Sequence, residues 1–160
     1  MKETEIEQLL PPLRERLYRF ARCILGSAAE AEDVAHDTLE RLWRRRAELA
    51  ACRRPEAFAL TSLRNACIDR LRRRGREEPL PSGCVAADDP FAGASEREWV
   101  RAAIARLPLR QREVLHLKEI EGYAVHEIAT LYGIEANQVR TILSRARRRL
   151  REELEKTMNA

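Results

Sequence analysis

Apolar residues recur at helical spacing along the first half of the chain and predict three amphipathic helices. The first follows Pro11-Pro12, residues favoured at a helix start, and ends at Gly26. The second covers about 28–47, and the third begins at Pro55 and stops at Gly75. Three amphipathic helices of this length can share one core, so this stretch predicts a small all-α domain.

The same spacing returns in the C-terminal part of the chain and predicts four further helices. Their approximate bounds are 95–107, 110–119, 125–132 and 135–156. The first opens with a capping-box pair, Ser95 and Glu98, and Pro108 ends it. Gly133 suits the left-handed turn that joins the last two helices.

The stretch between these two helical parts has a different composition. Residues 75–94 contain three of the seven prolines and three of the six glycines, without a sustained hydrophobic period. Such a stretch is typical of a flexible linker. We therefore expect an all-α protein of two small domains, 1–75 and 95–160, joined by a linker at 76–94.

Composition narrows the function classes. Hydrophobic residues make up 44% of the chain and charged residues 35%, which is typical of globular proteins. No run approaches the ~18 apolar residues of a membrane span, and the N-terminus lacks signal-peptide order, so we expect a cytoplasmic protein. The four cysteines lie far apart without a CxxC pair, so no metal site is expected. Without a Gly-rich phosphate loop or a Ser/His/Asp set, neither an enzyme nor a cofactor is expected.

The segment EIATLYGIEANQVRTILSRARRRL, residues 127–150, predicts a helix-turn-helix. Small Ala129 lets the two helices cross closely, and Val139 pins the second helix to the first. The outer face of the second helix offers hydrogen-bonding and cationic side chains that can reach base edges and phosphates. These predicted DNA-binding residues are Asn137, Gln138, Arg140, Thr141, Ser144, Arg145 and Arg148.

An ordinary solvated face is the alternative to DNA binding on this helix. Six basic residues and no acidic one lie between Arg140 and Arg151. Like charges spaced four apart repel each other in an isolated helix, and a polyanion relieves that repulsion. The arginine run therefore favours duplex DNA as the partner.

In their order and separation, these segments resemble a bacterial sigma factor of the extracytoplasmic-function (ECF) type. AEAEDVAHDTLERLW, followed by PEAFALTSLRNACIDRLRRR, is similar to the family's region 2. LPLRQREVLHLKEIEGYAVHEIATLYGIEANQVRTILSRARRRL is similar to its region 4. The resemblance implies a protein that binds core RNA polymerase, through the β′ clamp and β flap, and directs it to promoter DNA. It also implies an anti-sigma factor as a partner, and no small-molecule substrate.

By this resemblance, AEDVAHDTLERLW is the helix that docks on the β′ clamp. The predicted docking residues are Asp33, Asp37, Glu40, Arg41 and Trp43. A mixed-charge rim beside an aromatic anchor suits a protein interface. For Trp43, the alternative that it only caps its own core stays open.

Residues 55–74 resemble the segment that recognises the −10 element and holds a melted base. Asn65 matches the family's asparagine, and Asp69 and Arg70 complete an NxxxDR pattern. An asparagine amide can pair with an extruded base, and arginines can hold the single-strand backbone. A local capping or packing bond is the alternative for Asn65. The predicted −10 residues are Asn65, Asp69, Arg70, Arg72, Arg73 and Arg74, with Arg76 in the same basic run.

For the −35 element, the resemblance assigns base contacts to the helix-turn-helix and phosphate to Arg148. Asn137-Gln138 stands where Gly-Thr is common in the family, and Ile142 where a basic residue is common, so the −35 sequence stays open. A stand-alone helix-turn-helix regulator is one alternative function, although it would need a sensory or dimerising domain. An adaptor that binds polymerase without reading DNA is another.

Overall fold

The computed structural model of the protein describes residues 3–77 and 96–159. Within these ranges it contains eight α-helices and one π-helical segment, and no strand. The N-terminal helices are α1 (Glu3–Leu25), α2 (Ala28–Arg44), α3 (Arg46–Ala51) and α4 (Pro55–Glu77). The C-terminal helices are α5 (Glu96–Ala105), α6 (Leu109–Leu115), α7 (Val125–Tyr132) and α8 (Ala136–Met158), with the π-helical segment His116–Ile120 directly after α6.

The chain divides into two compact units, Met1–Pro79 and Leu80–Ala160. The predicted all-α class with two helical domains is therefore confirmed. The predicted linker at 76–94 lies outside the described residues, except for its first two positions, which belong to α4. Ser95, the predicted cap of α5, also lies outside them. None of the described helices combines the length and apolar character that a membrane span requires.

The N-terminal unit has its core where α1, α2 and α4 meet. Its most deeply buried side chains include Ile6, Leu17, Phe20, Ile24, Leu60 and Leu63. Gly26, with φ 78°, ends α1, and the Ser27 hydroxyl caps α2 by accepting a hydrogen bond from the Glu30 N–H at 3.3 Å. The short turn between α1 and α2 is thus built from a glycine and a capping serine.

The predicted start of the first helix was wrong, because α1 begins at Glu3 and contains both prolines. A proline inside a helix lacks an N–H donor and costs roughly 3 kcal/mol. The turns before the prolines nevertheless bury Ile6 and Leu10, which are 0% and 2% exposed. The two prolines together cost roughly 6 kcal/mol, and burying two such side chains offsets most of this cost by roughly 3–6 kcal/mol.

Two other predicted helix ends also differ. The second helix stops at Arg44, and Arg45 separates it from α3. The predicted stop at Gly75 was wrong, because α4 continues to Glu77 and Gly75 has no positive φ. A glycine in a helix costs only about 1 kcal/mol, too little by itself to end one.

The C-terminal unit is organised around α8, which packs against α5, α6 and α7. Val139, Leu143 and Ala146 form the buried side of α8. Gly133 has φ 65°, so the predicted left-handed turn between α7 and α8 is confirmed. The Ile134 N–H closes this turn by donating to the Ala129 carbonyl at 3.0 Å.

Candidate nucleic-acid and docking interfaces

The outer face of α8 is the first candidate interface. All seven residues predicted to bind duplex DNA are exposed there: Asn137, Gln138, Arg140, Thr141, Ser144, Arg145 and Arg148. The helix buries its other side, and its 23 residues span about 34 Å at a rise of ~1.5 Å per residue. A long helix anchored on one side and open on the other can enter a major groove.

The start of α8 is held by local hydrogen bonds. Gln138 Oε1 accepts from the Glu135 backbone N–H at 2.8 Å, which is the capping-box arrangement. Arg140 Nη1 donates to Asn137 Oδ1 at 2.8 Å. The Thr141 hydroxyl donates to the Asn137 backbone carbonyl at 3.0 Å. The first turn is therefore ordered before any ligand arrives.

Arginines on the outer face of α8 lack strong acidic partners. Within the described ranges, neither Arg140 nor Arg145 has a carboxylate within 4.0 Å. Arg148 Nε lies 3.7 Å from Glu152 Oε1 in an exposed pair. Arg147, outside the predicted set, is different, because its Nε donates to Glu119 Oε1 at 3.2 Å. The positive charge of the outer face is thus left largely available to an anion.

The second candidate interface is the exposed stripe of α2. All five predicted docking residues are exposed: Asp33, Asp37, Glu40, Arg41 and Trp43. Trp43 is 43% exposed, and the Arg46 guanidinium lies 4.9 Å from its ring centroid. A tryptophan that only completed its own core would be buried, so this exposure favours an interface role.

The third candidate interface is a groove of about 420 Å³ between α2 and α4. Its lining includes Asp37 and Arg41 from α2 and Asn65, Asp69, Arg70 and Arg73 from α4. The structure therefore brings four of the six predicted −10 residues beside two predicted docking residues, whereas Arg72 and Arg74 do not line the groove. The Asn65 side chain is exposed and makes no hydrogen bond with the described residues, which disfavours a capping or packing role.

Three of the arginines of α4 are already paired with acids. Arg70 Nη2 lies 2.7 Å from Asp33 Oδ2, and Arg73 Nη2 lies 3.0 Å from Asp69 Oδ2. Arg72 is exposed and has no carboxylate partner among the described residues. The α4 surface therefore presents less free positive charge than its sequence indicates.

Arg74 has a structural position. Its side chain is only 17% exposed, forms an ion pair with Glu30 and approaches the Leu25 carbonyl at 3.5 Å. The ion pair with Glu30 connects the end of α4 to the start of α2. The side chain of Arg76 lies outside the described residues.

The ion pairs between α2 and α4 were not predicted from the sequence. The available signal was the matched spacing of opposite charges, three apart for Glu30 and Asp33 and four apart for Arg70 and Arg74. Each of these side chains reads as a surface charge when its helix is considered alone. Only the packing of α4 on α2 makes them partners.

Buried polar contacts within the C-terminal unit were also missed. Glu113 is 0% exposed, and the Tyr132 hydroxyl donates to its Oε1 at 2.9 Å. The π-helical turn brings His116 Nε2 within 3.0 Å of Glu121 Oε2, and both side chains are buried. These contacts join α6, α7 and the π-helical segment. They therefore stabilise the helices against which α8 packs.

Two protein families match this chain, one in each unit. Residues 9–77 match Sigma-70 region 2, and residues 97–150 match Sigma-70 region 4. The first match contains α2 and α4, and the second contains α7 and most of α8. The candidate interfaces therefore fall inside the two matched regions.

Individual relatives cover nearly the whole chain. The ECF RNA polymerase sigma factor SigL of Mycobacterium tuberculosis is 31% identical over 142 residues, covering 84% of this chain and 80% of that protein. The RNA polymerase sigma-E factor of Streptomyces avermitilis is 30% identical over 155 residues, covering 94% and 86%.

Among solved structures, the sigma factor RpoE of Bartonella quintana, crystallised with the anti-sigma factor NepR, matches with a TM-score of 0.79 and 26% identity. That match covers 94% of this chain and 97% of the RpoE chain. Matches of this coverage in sequence and fold, together with both sigma-70 regions in order, decide the family. The chain belongs to the ECF sigma factors of bacterial RNA polymerase and acts in promoter-directed transcription.

Proposed function

We propose that this sigma factor uses its three candidate interfaces for three separate contacts. The α2 stripe docks on the β′ clamp of core RNA polymerase, the α4 segment recognises the −10 element, and the outer face of α8 reads the −35 element. The exposed, largely unpaired arginine face of α8 is the observation on which the DNA assignment rests. Promoter duplex supplies the phosphates and guanine edges that such arginines bind.

The docking role of α2 is supported by its exposed aromatic and its charge. Trp43 is the largest exposed apolar side chain on this helix, and Asp37 and Glu40 are exposed in the preceding turns. Acidic side chains repel DNA, so this stripe suits a protein partner better than a nucleic acid. A second polymerase contact, between the β flap and the C-terminal unit, is part of the same proposal.

The −10 role of α4 is supported by Asn65 and the neighbouring arginines. The exposed Asn65 amide has both a donor and an acceptor available for the edge of an extruded base. Arg72 and Arg73 are exposed about two helical turns further along α4 and can hold the single-strand backbone. Arg74 has a mainly structural role in this scheme, because Glu30 already neutralises it.

An anti-sigma factor is the proposed regulatory partner. The Bartonella quintana RpoE was crystallised with such a protein, NepR. We propose that a comparable partner covers the α2 stripe and so competes with core polymerase. The cytoplasm, where RNA polymerase acts, is the proposed place of action, and the chemistry of polymerisation belongs to the core enzyme.

Binding of the full chain to purified core polymerase tests the docking proposal. Asp37→Ala and Glu40→Ala together should weaken the complex, because they remove two exposed charges from the proposed contact. Glu15→Ala and Glu5→Ala remove the same charge from exposed positions of α1 and serve as the control. A wild-type chain that binds promoter duplex but not core polymerase would instead indicate a stand-alone regulator.

The DNA assignment is tested by Arg140→Ala and Arg145→Ala in the same chain. These changes should strongly weaken promoter binding while leaving association with core polymerase intact. An adaptor that binds polymerase without reading DNA would transcribe equally well with and without the two arginines. Unchanged transcription would therefore refute the proposed readout.

A further inference from the structure

We infer that the recognition helix reads DNA with a fixed hydrogen-bond polarity, in which Asn137 and Gln138 offer donors and Thr141 offers an acceptor. The inference rests on the proposed −35 role of α8 and specifies which base edges that helix accepts. It follows from the local hydrogen bonds at the start of α8, whose partners fix the orientation of each side chain.

Gln138 has its orientation fixed by a backbone amide. The Glu135 N–H can only donate, so the Gln138 atom 2.8 Å away must be the carbonyl oxygen Oε1. Oε1 keeps one lone pair but is held at the helix start, whereas the amide nitrogen Nε2 keeps both of its hydrogens and is the main group left to meet a ligand. Gln138 is exposed at the third position of α8, so this nitrogen is accessible to a partner in front of the helix.

The orientations of the Asn137 and Thr141 side chains are likewise fixed by their hydrogen-bond partners. The Arg140 guanidinium can only donate, so the Asn137 atom that faces it at 2.8 Å is Oδ1, and Nδ2 is left as a donor. The Asn137 backbone carbonyl can only accept, so the Thr141 hydroxyl uses its hydrogen there at 3.0 Å. The Thr141 oxygen therefore keeps only its acceptor capacity.

This polarity discriminates between purines. Glutamine recognises adenine by accepting from N6 and donating to N7, which requires both ends of its amide. Guanine presents two acceptors, N7 and O6, on the same edge. An amide whose nitrogen is free and whose oxygen is already held by the cap is complementary to guanine, because reading adenine with both ends would require Oε1 to share its hydrogen bond with the Glu135 N–H. Gln138 is therefore a specificity residue that selects guanine over adenine.

The test is promoter selection by holoenzyme, assembled from core polymerase and the full chain, on a library randomised through the −35 element. Gln138→Ala identifies the base pair read by this side chain, because the preference there should disappear. In the wild type, guanine should be preferred to adenine at that base pair by roughly tenfold, within the range of a specific side-chain contact to a base. Replacing this guanine by 7-deazaguanine, which lacks the N7 acceptor, should reduce binding severalfold.

Gln138→Glu separates capping from reading. The carboxylate still accepts from the Glu135 N–H, so α8 should keep its thermal stability, but the donor is lost. The preference at this one base pair should change to cytosine or adenine, whose N4 and N6 groups donate. Gln8→Glu makes the same chemical change at an exposed position of α1 and should leave the selected element unchanged.

The outcomes separate this inference from the proposed function. Adenine selected by the wild type at the Gln138 base pair, or an element that Gln138→Glu leaves unchanged, would overturn the fixed polarity while keeping the −35 role. A wild-type holoenzyme that transcribes without enriching any upstream element would overturn the −35 role of α8, and the inference with it.

Discussion

The α4 and α8 surfaces both contain several arginines, but their arginines are in different electrostatic states. On α4, Arg70 pairs with Asp33, Arg73 pairs with Asp69, and Arg74 pairs with Glu30. On α8, Arg140 and Arg145 have no carboxylate partner among the described residues. Similar basic runs in the sequence therefore become a largely neutralised surface on α4 and a more open cationic surface on α8.

This difference indicates how the two DNA contacts are made. Free arginines attract phosphate directly, and their contacts release counterions from the duplex. Paired arginines must first exchange a carboxylate for a phosphate, although exposed pairs contribute only about 0–1 kcal/mol. One of the carboxylates to be released, Asp33, lies on the stripe proposed to dock core polymerase. We therefore expect α8 to dominate binding of the free chain to duplex DNA and α4 to contribute within the holoenzyme.

The largest expected effect comes from removing the unpaired positive charges on the outer face of α8. Arg140→Ala with Arg145→Ala should cost roughly 1–3 kcal/mol of promoter recognition for each arginine, as expected for specific contacts to bases. Transcription by holoenzyme from a matched promoter measures this loss. Arg97→Ala with Arg101→Ala removes the same charge from exposed positions of α5 and should have little effect. Equal losses in both double variants would mean that net charge, not the α8 face, determines binding.

The next effect concerns docking on core polymerase, which we propose for the α2 stripe of the N-terminal unit. Trp43→Ala should weaken binding to core polymerase by about 2 kcal/mol or more, because exposed tryptophans at interfaces are frequent hot spots. Titration of labelled chain with core enzyme measures the change. Met158→Ala, at another exposed apolar position, is the control. Core affinity that is indifferent to Trp43 would remove α2 from the proposed contact.

Substitutions at two glycines test the backbone geometry next to each arginine surface, the turn before α8 and the helical conformation of α4. Gly133→Ala should destabilise the C-terminal unit by about 1–2 kcal/mol, because its φ of 65° is unfavourable for a residue with a Cβ. Gly75→Ala should stabilise α4 by about 0.5–1 kcal/mol, because Gly75 is helical and open space surrounds it. Denaturant unfolding of the two variants should therefore shift in opposite directions. Shifts of the same sign would contradict the turn and helix assignments.

The smallest effect should come from releasing one paired arginine. Asp33→Asn removes the partner of Arg70, so the free chain should gain about one phosphate contact and a salt-dependence slope steeper by roughly 0.9. Asp37→Asn makes the same charge change at an exposed residue that has no ion pair among the described residues, and it should leave the slope unchanged. Fluorescence anisotropy at several salt concentrations measures both. Identical slopes for the two variants would show that the Arg70 pair does not restrain DNA binding.

The contrast between units also explains what the sequence could predict. The turn at Gly133 was predictable because one residue type suits its backbone geometry, and the outer face of α8 followed from helical periodicity. The start of α1 could not be predicted from local signals. The prolines favour a helix start at that point, but Ile6 and Leu10 before them are buried in a core that forms only when the chain folds. The local signal at Gly133 was thus correct, whereas the local proline signal failed where tertiary packing opposed it.

The candidate site divides in the same way. The exposure of the predicted α8 residues depends on a single helix and its buried side, which periodicity shows. The pairing of Arg70 and Arg74 depends on how α4 packs against α2, which no spacing within one helix determines. The buried Glu113 and Tyr132 pair is a similar case, since its members lie 19 residues apart on different helices.

The contrast between the two arginine surfaces is tested most directly by the salt dependence of duplex binding for two double variants of the free chain. Arg140→Ala with Arg145→Ala should lower the slope of log affinity against log salt by about 1.8, if each unpaired guanidinium neutralises about one phosphate in addition to contacting a base. Arg70→Ala with Arg73→Ala removes the same charge from the paired surface and should leave the slope unchanged. Equal reductions from both double variants would contradict the distinction between an open and a neutralised surface.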